Sequence, residues 1–439
     1  MINSELKFKL LCFFKHRVIP MIITMVLGLV NMIDMPEAVK IVAGIVFIIV
    51  LLPMPSVESA KCLMFILCAN ELLNIGTTSL TMMFVALFTI KQCFLHVRKL
   101  KANSGIVVSF LALVVVGIIA YLFEGTKDLL VFTVKHVFFL YYTYDVLEES
   151  RDNLKKLYTD VFQHIALGTI YFAVLSVVVN GIPSLSERFT PSEEITINFF
   201  AIICALAIVN MLYGIIIIND KSKYSIYLII GCCIVGLLTQ SRTFIFAVVI
   251  GFALQFILTS SMYKKIVFMF VIIFGILLFV TVCVYVPGVT ELLENAMLRI
   301  TDPRGGDISN GRYELWNFTI SAMNDNPVYF WLGAGDYNKI GASFEDKIMV
   351  AHNMFLETWV IFGLIGCFLL ITGYISFVRQ YVLKYKTCSF RFVTLVPLVV
   401  MLCCLFFSHH FIGRSMSMVF VFSFLPIVID SKKKTGGCQ

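Results

Sequence analysis

The sequence predicts an all-α polytopic integral membrane protein of about 12–14 transmembrane helices, with one large loop outside the bilayer that contains short helices. Three observations lead there. Hydrophobic residues make up 59% of the 439 and charged residues only 14%, where a soluble domain carries roughly 25% charged; the mean hydropathy is +0.93. Apolar runs of spanning length follow one another along most of the chain. Residues 287–351 stand apart as a mixed polar island between two of them. The runs lack the alternation of a membrane barrel. Hydrocarbon offers the backbone no partners, so each run should be a helix.

In chain order the runs are 17–33, 39–53, 60–76, 79–95, 104–123, 128–146, 159–180, 196–218, 223–239, 242–259, 265–286, 352–378, 391–408 and 411–429. They divide the chain into an N-terminal helix bundle (1–286), the large loop (287–351) and C-terminal helices with a basic tail (352–439). No cleavable signal peptide is expected from the basic start and the first apolar run. The thirteen Cys lie mostly inside apolar runs without metal-ligand spacing and read as small packing residues.

The net charge of +7 would suit nucleic acid, but its distribution points to topology instead. With the N-terminus in the cytoplasm, Lys7, Lys9, Lys15 and Arg17 lie inside, as do Arg98, Lys99, Lys101, Arg151, Lys155, Lys156, Lys221, Lys223, Lys264, Lys265, Arg379, Lys384, Lys386 and Lys432–Lys434. The opposite loops, 124–127, 181–195 and 287–351, are neutral to acidic, so both termini should be cytoplasmic and the island outside. No internal repeat and no Walker-type phosphate loop occurs, which excludes ATP as the energy source.

Several ionisable groups fall where a membrane makes them costly. Gln240-Ser241-Arg242-Thr243 puts a cation at an outer turn. Arg242 there either snorkels to lipid phosphates or meets an anionic ligand such as a diphosphate, whose oxygens a guanidinium matches bidentately. The island carries Arg299, Asp302, Arg304, Asp307, Arg312, Glu314 and Trp316. Arg312 and Trp316 share a helix face at i, i+4; they form a cation–π contact, or they meet a phosphate and a sugar ring. Trp331-Leu332-Gly333-Ala334-Gly335 is a turn rich in small residues. His352, beside Asn353, opens a helix at the outer boundary; it is either structural or a proton acceptor, since imidazole exchanges protons near neutral pH. Gly363 and Gly366 would let another helix pack closely. Lys135-His136, His409-His410 and Arg414 are further cavity candidates, and His409-His410 lacks the partners of a metal site.

The order of these pieces resembles the O-antigen polymerase and O-antigen ligase superfamily of bacterial inner membranes. Ser241-Arg242 comes first, then the loop with Arg312-x-x-x-Trp316, then Asn326-Pro327 and Gly333-x-Gly335. His352-Asn353-x-x-Leu356 follows and runs into Gly363-x-x-Gly366. The motifs cover residues 196–378. The resemblance implies metal-independent, cofactor-free glycosyl transfer at the periplasmic face of the inner membrane, from an undecaprenyl-diphosphate-linked donor. It casts Arg242, Arg312 and His352 as catalytic residues; Arg304, Trp316, Asn353 and Arg414 are the expected substrate contacts beside them. Implied partners are lipid-linked oligosaccharide and polysaccharide, membrane lipids, a chain-length regulator and a flippase, with no nucleic acid. Phe355-Leu356-Glu357 after the His-Asn pair and the many Phe residues lean toward a polymerase. A ligase that moves polymer to lipid A–core is the alternative. A lipid-linked oligosaccharide flippase would share the hydropathy, but it should show repeat halves, and none is visible.

Overall fold

The computed structural model describes residues 17–33, 35–75, 78–95, 104–124, 128–181, 187–220, 222–285, 311–336, 339–340, 342–344, 347–349, 351–384, 391–406 and 416–435, with positions 290, 294 and 298. Helices α1 (Ile19–Met32), α2 (Glu37–Leu51) and α3 (Ser56–Phe65) come first, then a small hairpin, β1 (Asn74–Ile75) with β2 (Thr78–Ser79). Next are α4 (Leu80–Leu95), α5 (Ser104–Glu124), α6 (Asp128–Glu149), α7 (Leu154–Asn180) and α8 (Ile197–Tyr213), which ends in a π-turn at Gly214–Ile218. After them come α9 (Tyr224–Leu238), α10 (Arg242–Leu258), α11 (Met262–Tyr285), α12 (Arg312–Asp325) and α13 (Pro327–Leu332). A second hairpin, β3 (Ala342–Phe344) with β4 (Lys347–Met349), precedes α14 (Met354–Lys384), α15 (Val396–Phe406), α16 (Met416–Phe422) and α17 (Leu425–Thr435). The protein is a helical polytopic membrane protein. Among the described residues, Leu154–Asn180, Ile197–Ile218 and Met354–Arg379 are long and apolar enough to cross a membrane unaided. Seven further apolar helices of 10–17 residues accompany them.

The chain forms two compact units, each assembled from separate stretches: Met1–Lys91 with Tyr142–Ala296, and Gln92–Tyr141 with Met297–Gln439. In the first unit α8 is the central post. It is apolar all round and buried all round, as a helix surrounded by others should be. Its polar residue Asn210 is fully satisfied, accepting from Tyr158 Oη at 2.8 Å and donating to Leu206 O at 2.7 Å.

The expected span 60–76 is not one helix. α3 stops after ten residues at Phe65, and a 3₁₀ turn (Leu67–Ala69) and the β1–β2 hairpin complete the passage. Both ends of this segment are nevertheless fixed to opposite ends of α7. At one end Glu149, just before α7, accepts from Ser56 Oγ and, at 3.1 Å, from Val57 N, so a carboxylate caps the start of α3. At the other end Glu71 accepts from Thr196 N and Thr196 Oγ1, each at 3.0 Å, and caps α8 beyond the far end of α7. Between them the segment climbs beside α7, with Lys61 bonded to Asp160 and the Phe65 carbonyl lying where a β-carbon on Gly168 would be. The segment therefore covers the length of a 27-residue helix, about 40 Å, with far fewer helical residues.

In the second unit α5 packs along α14. Leu113 and Phe110 of α5 lie over Gly366 and Gly373, the close approach that small residues permit. His136 of α6 is a core residue: its ring meets Phe362 and Tyr374 edge-on at 6.0 and 6.3 Å, and Nδ1 pairs with Phe132 O at 2.8 Å. Arg391, ahead of α15, forms a forked pair with Asp430 of α17, 2.6 Å at its shortest. The expected continuous helix 352–378 is interrupted. Gly363 has φ 62° and ψ −179°, which breaks α14 into two helical pieces.

Candidate functional site

The predicted residues fall in both units, one group in each. In the first, the turn before α10 is set by Gln240, whose φ of 48° is left-handed. Ser241 then takes the extended N-cap conformation, and Arg242 becomes the first helical residue, half-buried. Ser241 does not cap its helix; its Oγ donates to Asn198 Oδ1 at 3.3 Å. The same oxygen accepts from Arg188 Nη2 at 3.1 Å, and Arg188 Nε donates to Thr239 O at 3.3 Å. Gln240 Nε2 to Glu187 O (3.1 Å) and Phe189 N to Leu238 O (3.1 Å) staple the loop onto the turn. Two guanidinium groups thus belong to one helix N-terminus, whose own dipole end is positive, a setting that favours an anion. Arg188 is absent from the sequence-based candidates. It carries the same signal as Arg242, a cation in a loop expected outside.

In the second unit Gly311, with φ 79°, turns the chain into α12, so that Arg312 is the first helical residue and Trp316 lies one turn on. Trp316 Nε1 donates to Ala351 O at 2.7 Å, and its ring stands edge-on to Tyr313 (5.4 Å) and Phe406 (5.3 Å). The residue it holds immediately precedes His352. His352 has φ 50°, a left-handed conformation that a residue other than glycine adopts at a cost of roughly 1–3 kcal/mol. Asn353 follows, buried, its Oδ1 accepting from Phe355 N at 2.9 Å and Leu356 N at 3.3 Å as the N-cap of α14. Asn326 caps α13 in the same way through Val328 N and Tyr329 N.

The Gly-x-Gly turn acquires its meaning here. Gly333 (φ 84°) and Gly363 (φ 62°) lie backbone to backbone, and a β-carbon on either would collide with the other's segment. Ala334 N (2.7 Å) and Gly335 N (3.3 Å) both donate to Val360 O, three residues before the break in α14. A small core of Met323, Ala334, Ile340 and Val360 closes around this clasp, and Trp359 Nε1 donates to Phe330 O at 3.1 Å. The loop is therefore fixed to the first piece of α14, and His352 lies between two anchors, Trp316 and this clasp.

Of the predicted residues, the second unit gathers Arg312, Trp316, His352 and Asn353 around the starts of α12 and α14, and the first holds Arg242 with Arg188. Arg304, Arg414 and the pair His409-His410 lie outside the described residues. Among the described residues no three His, Cys, Asp or Glu come together as metal ligands would. Trp316→Phe keeps the ring and removes the donor to Ala351 O. A lost buried hydrogen bond costs about 1–3 kcal/mol, so hydrogen exchange at the Phe355 and Leu356 amides should speed by roughly fivefold or more. Exchange mass spectrometry on a peptide spanning 351–357 checks this.

Residues 226–371 match the family model described as O-antigen ligase. This stretch, about a third of the chain, is similar to the O-antigen ligase/polymerase superfamily. The O-antigen ligase match takes in the Ser241-Arg242 turn, Arg312 and Trp316, the Gly333–Gly363 clasp, and His352-Asn353. No curated protein and no solved structure matches the chain.

Proposed function

We propose that the protein is a surface-polysaccharide polymerase of this superfamily, acting at the periplasmic face of the inner membrane. The donor is a glycan on undecaprenyl diphosphate and the acceptor a lipid-linked repeat unit. The observation that carries the reading is that one family match takes in Ser241-Arg242, Arg312 with Trp316, the Gly333 turn and His352-Asn353. In this proposal an acceptor hydroxyl attacks the anomeric carbon, the bond from that carbon to the diphosphate oxygen breaks, and the carrier diphosphate leaves with the electron pair. Arg242 and Arg312 stabilise the charge that develops on the leaving diphosphate, and His352 takes the hydroxyl proton. Arg188 adds positive charge beside Arg242. A chain-length regulator and a flippase are the partners such a reaction calls for. Neither metal nor cofactor enters the scheme.

The orientation proposed, both termini cytoplasmic, is supported by the broken segment 56–79. Because its two ends meet opposite ends of α7, it counts as a crossing, and the basic stretches around Arg17 and around Arg98 then share a side.

The description of the matching family favours a second reading, a ligase moving finished polymer to lipid A–core. The lipopolysaccharide ladder of a deletion strain separates the two. A single repeat unit on core is the expected pattern. Bare core with polymer accumulating on the lipid carrier would establish the ligase instead, and an unchanged ladder would sink both.

A further inference from the structure

In the first unit, three helices enclose a charged cavity that the transfer scheme does not use. Its volume is about 230 Å³, and its walls include Arg17 and Met21 from the start of α1, Glu58, Lys61 and Cys62 from α3, and Lys156, Asp160 and His164 from α7. On α7 the residues recur at i, i+4 and i+8, one face of a helix. Lys61 is buried, 8% exposed, and its ammonium is held by Glu58 at 3.1 Å and Asp160 at 2.9 Å. Arg17 Nε also reaches Glu58, at 3.3 Å.

Lys61 and Arg17 both draw on this small supply of carboxylates. Arg17, Lys61 and Lys156 give three positive charges against two from Glu58 and Asp160, leaving one positive charge with His164 uncharged. Lys156 is exposed on the first turn of α7, where the helix dipole adds positive potential. Next to the cavity α1 turns apolar side chains outward: Ile19 is 48% exposed and Ile22 52%. An anion-favouring cavity bordered by an outward apolar face, beside the basic stretch Arg151, Lys155 and Lys156, has the features of a lipid-headgroup site.

We propose that this cavity binds the phosphodiester of an anionic membrane lipid, with Arg17 and Lys156 meeting the phosphate and α1 receiving the acyl chains. The lone negative charge of a phosphodiester balances the cavity. A free phosphate ion shares the headgroup chemistry but has no use for the apolar face.

The full-length protein is placed in phosphatidylcholine nanodiscs with and without phosphatidylglycerol, and retained lipid is counted by native mass spectrometry. Wild type should keep a phosphatidylglycerol that Lys156→Glu releases, with occupancy falling by about fivefold or more for the charge removed. Lys156→Glu alters an exposed residue and leaves the ion pairs of Lys61 and Arg17 in place, so its fold is kept; Arg17→Gln should act in the same direction. Equal retention by wild type and Lys156→Glu would overturn the proposal. So would binding of inorganic phosphate that is lost in Lys156→Glu without any preference for phosphatidylglycerol, which would assign the cavity to the free ion.

Discussion

Gly363→Ala is expected to produce little folded protein. Two costs coincide at this position. The backbone there, φ 62° with ψ −179°, belongs to a region that is essentially glycine's alone. The added methyl would also point into the backbone of Trp331, Leu332 and Gly333, which has no rotamer by which to withdraw. Together these amount to on the order of 3–5 kcal/mol, a large share of the 5–15 kcal/mol that holds a typical protein folded. The detergent-solubilised variant should lose its monodisperse peak on size-exclusion chromatography, or melt many degrees lower. Gly333→Ala should do the same. The double variant should cost less than the sum, since both changes break one contact while each adds its own backbone strain. Wild-type yield and melting for Gly363→Ala would show that the clasp does not hold the loop to α14.

On the proposed polymerase reading, His352→Asn should abolish polymer while leaving the protein intact. Asparagine tolerates the left-handed backbone that His352 adopts, so the substitution removes the imidazole without forcing the turn to rearrange. If His352 accepts the acceptor's proton, the transfer rate should fall by about a hundredfold or more. The acid limb of the pH–rate profile should vanish with it, because protonating a residue that is no longer there can inhibit nothing. Measurement is by incorporation of labelled lipid-linked repeat units in purified membranes, with protein level read by immunoblot. Near-normal chain formation by His352→Asn would leave His352 a turn residue and move the chemistry to the guanidinium groups alone.

Much of the architecture was legible because hydropathy reports burial in lipid directly. The runs at 159–180 and 196–218 became α7 and α8 with their π-turn, since an uninterrupted apolar stretch in hydrocarbon has one way to satisfy its backbone. The run at 60–76 departs from a single helix for the same reason in reverse. A helix that breaks after Phe65 has the hydropathy of one that does not, and what marks the break is the contact with Gly168, far away in sequence. The polar residues Glu58, Lys61, Asn70 and Glu71 were the available hint.

At the site, residue types were readable and their partners were not. Gly363 and Gly366 looked alike as helix-packing glycines; Gly366 faces Leu113 of α5, whereas Gly363 faces the Gly333 turn. Two short motifs, each weak alone, were two sides of one contact. The left-handed turns at Gln240 and His352 have no signature in composition, because they are imposed by what surrounds them: the stapled loop at 187–189 and the indole of Trp316. Arg188 is masked in the sequence by Glu187, Glu193 and Glu194, which leave its loop acidic overall.

The broken passage through residues 56–79 also dictates an order of assembly. Its first anchor, Glu149, lies 93 residues after Ser56, so the ribosome releases the segment long before its supports exist. A stretch bearing Glu58 and Lys61 and lacking a full helix inserts poorly by itself. On the proposed topology it is expected to wait at the membrane surface, or inside the insertion machinery, until α7 arrives and presents Asp160 and the bare face of Gly168. The expected biogenesis is then not sequential: an early segment enters the bilayer late, and a chain truncated before α7 should leave it stranded at the surface, exposed to quality-control proteases.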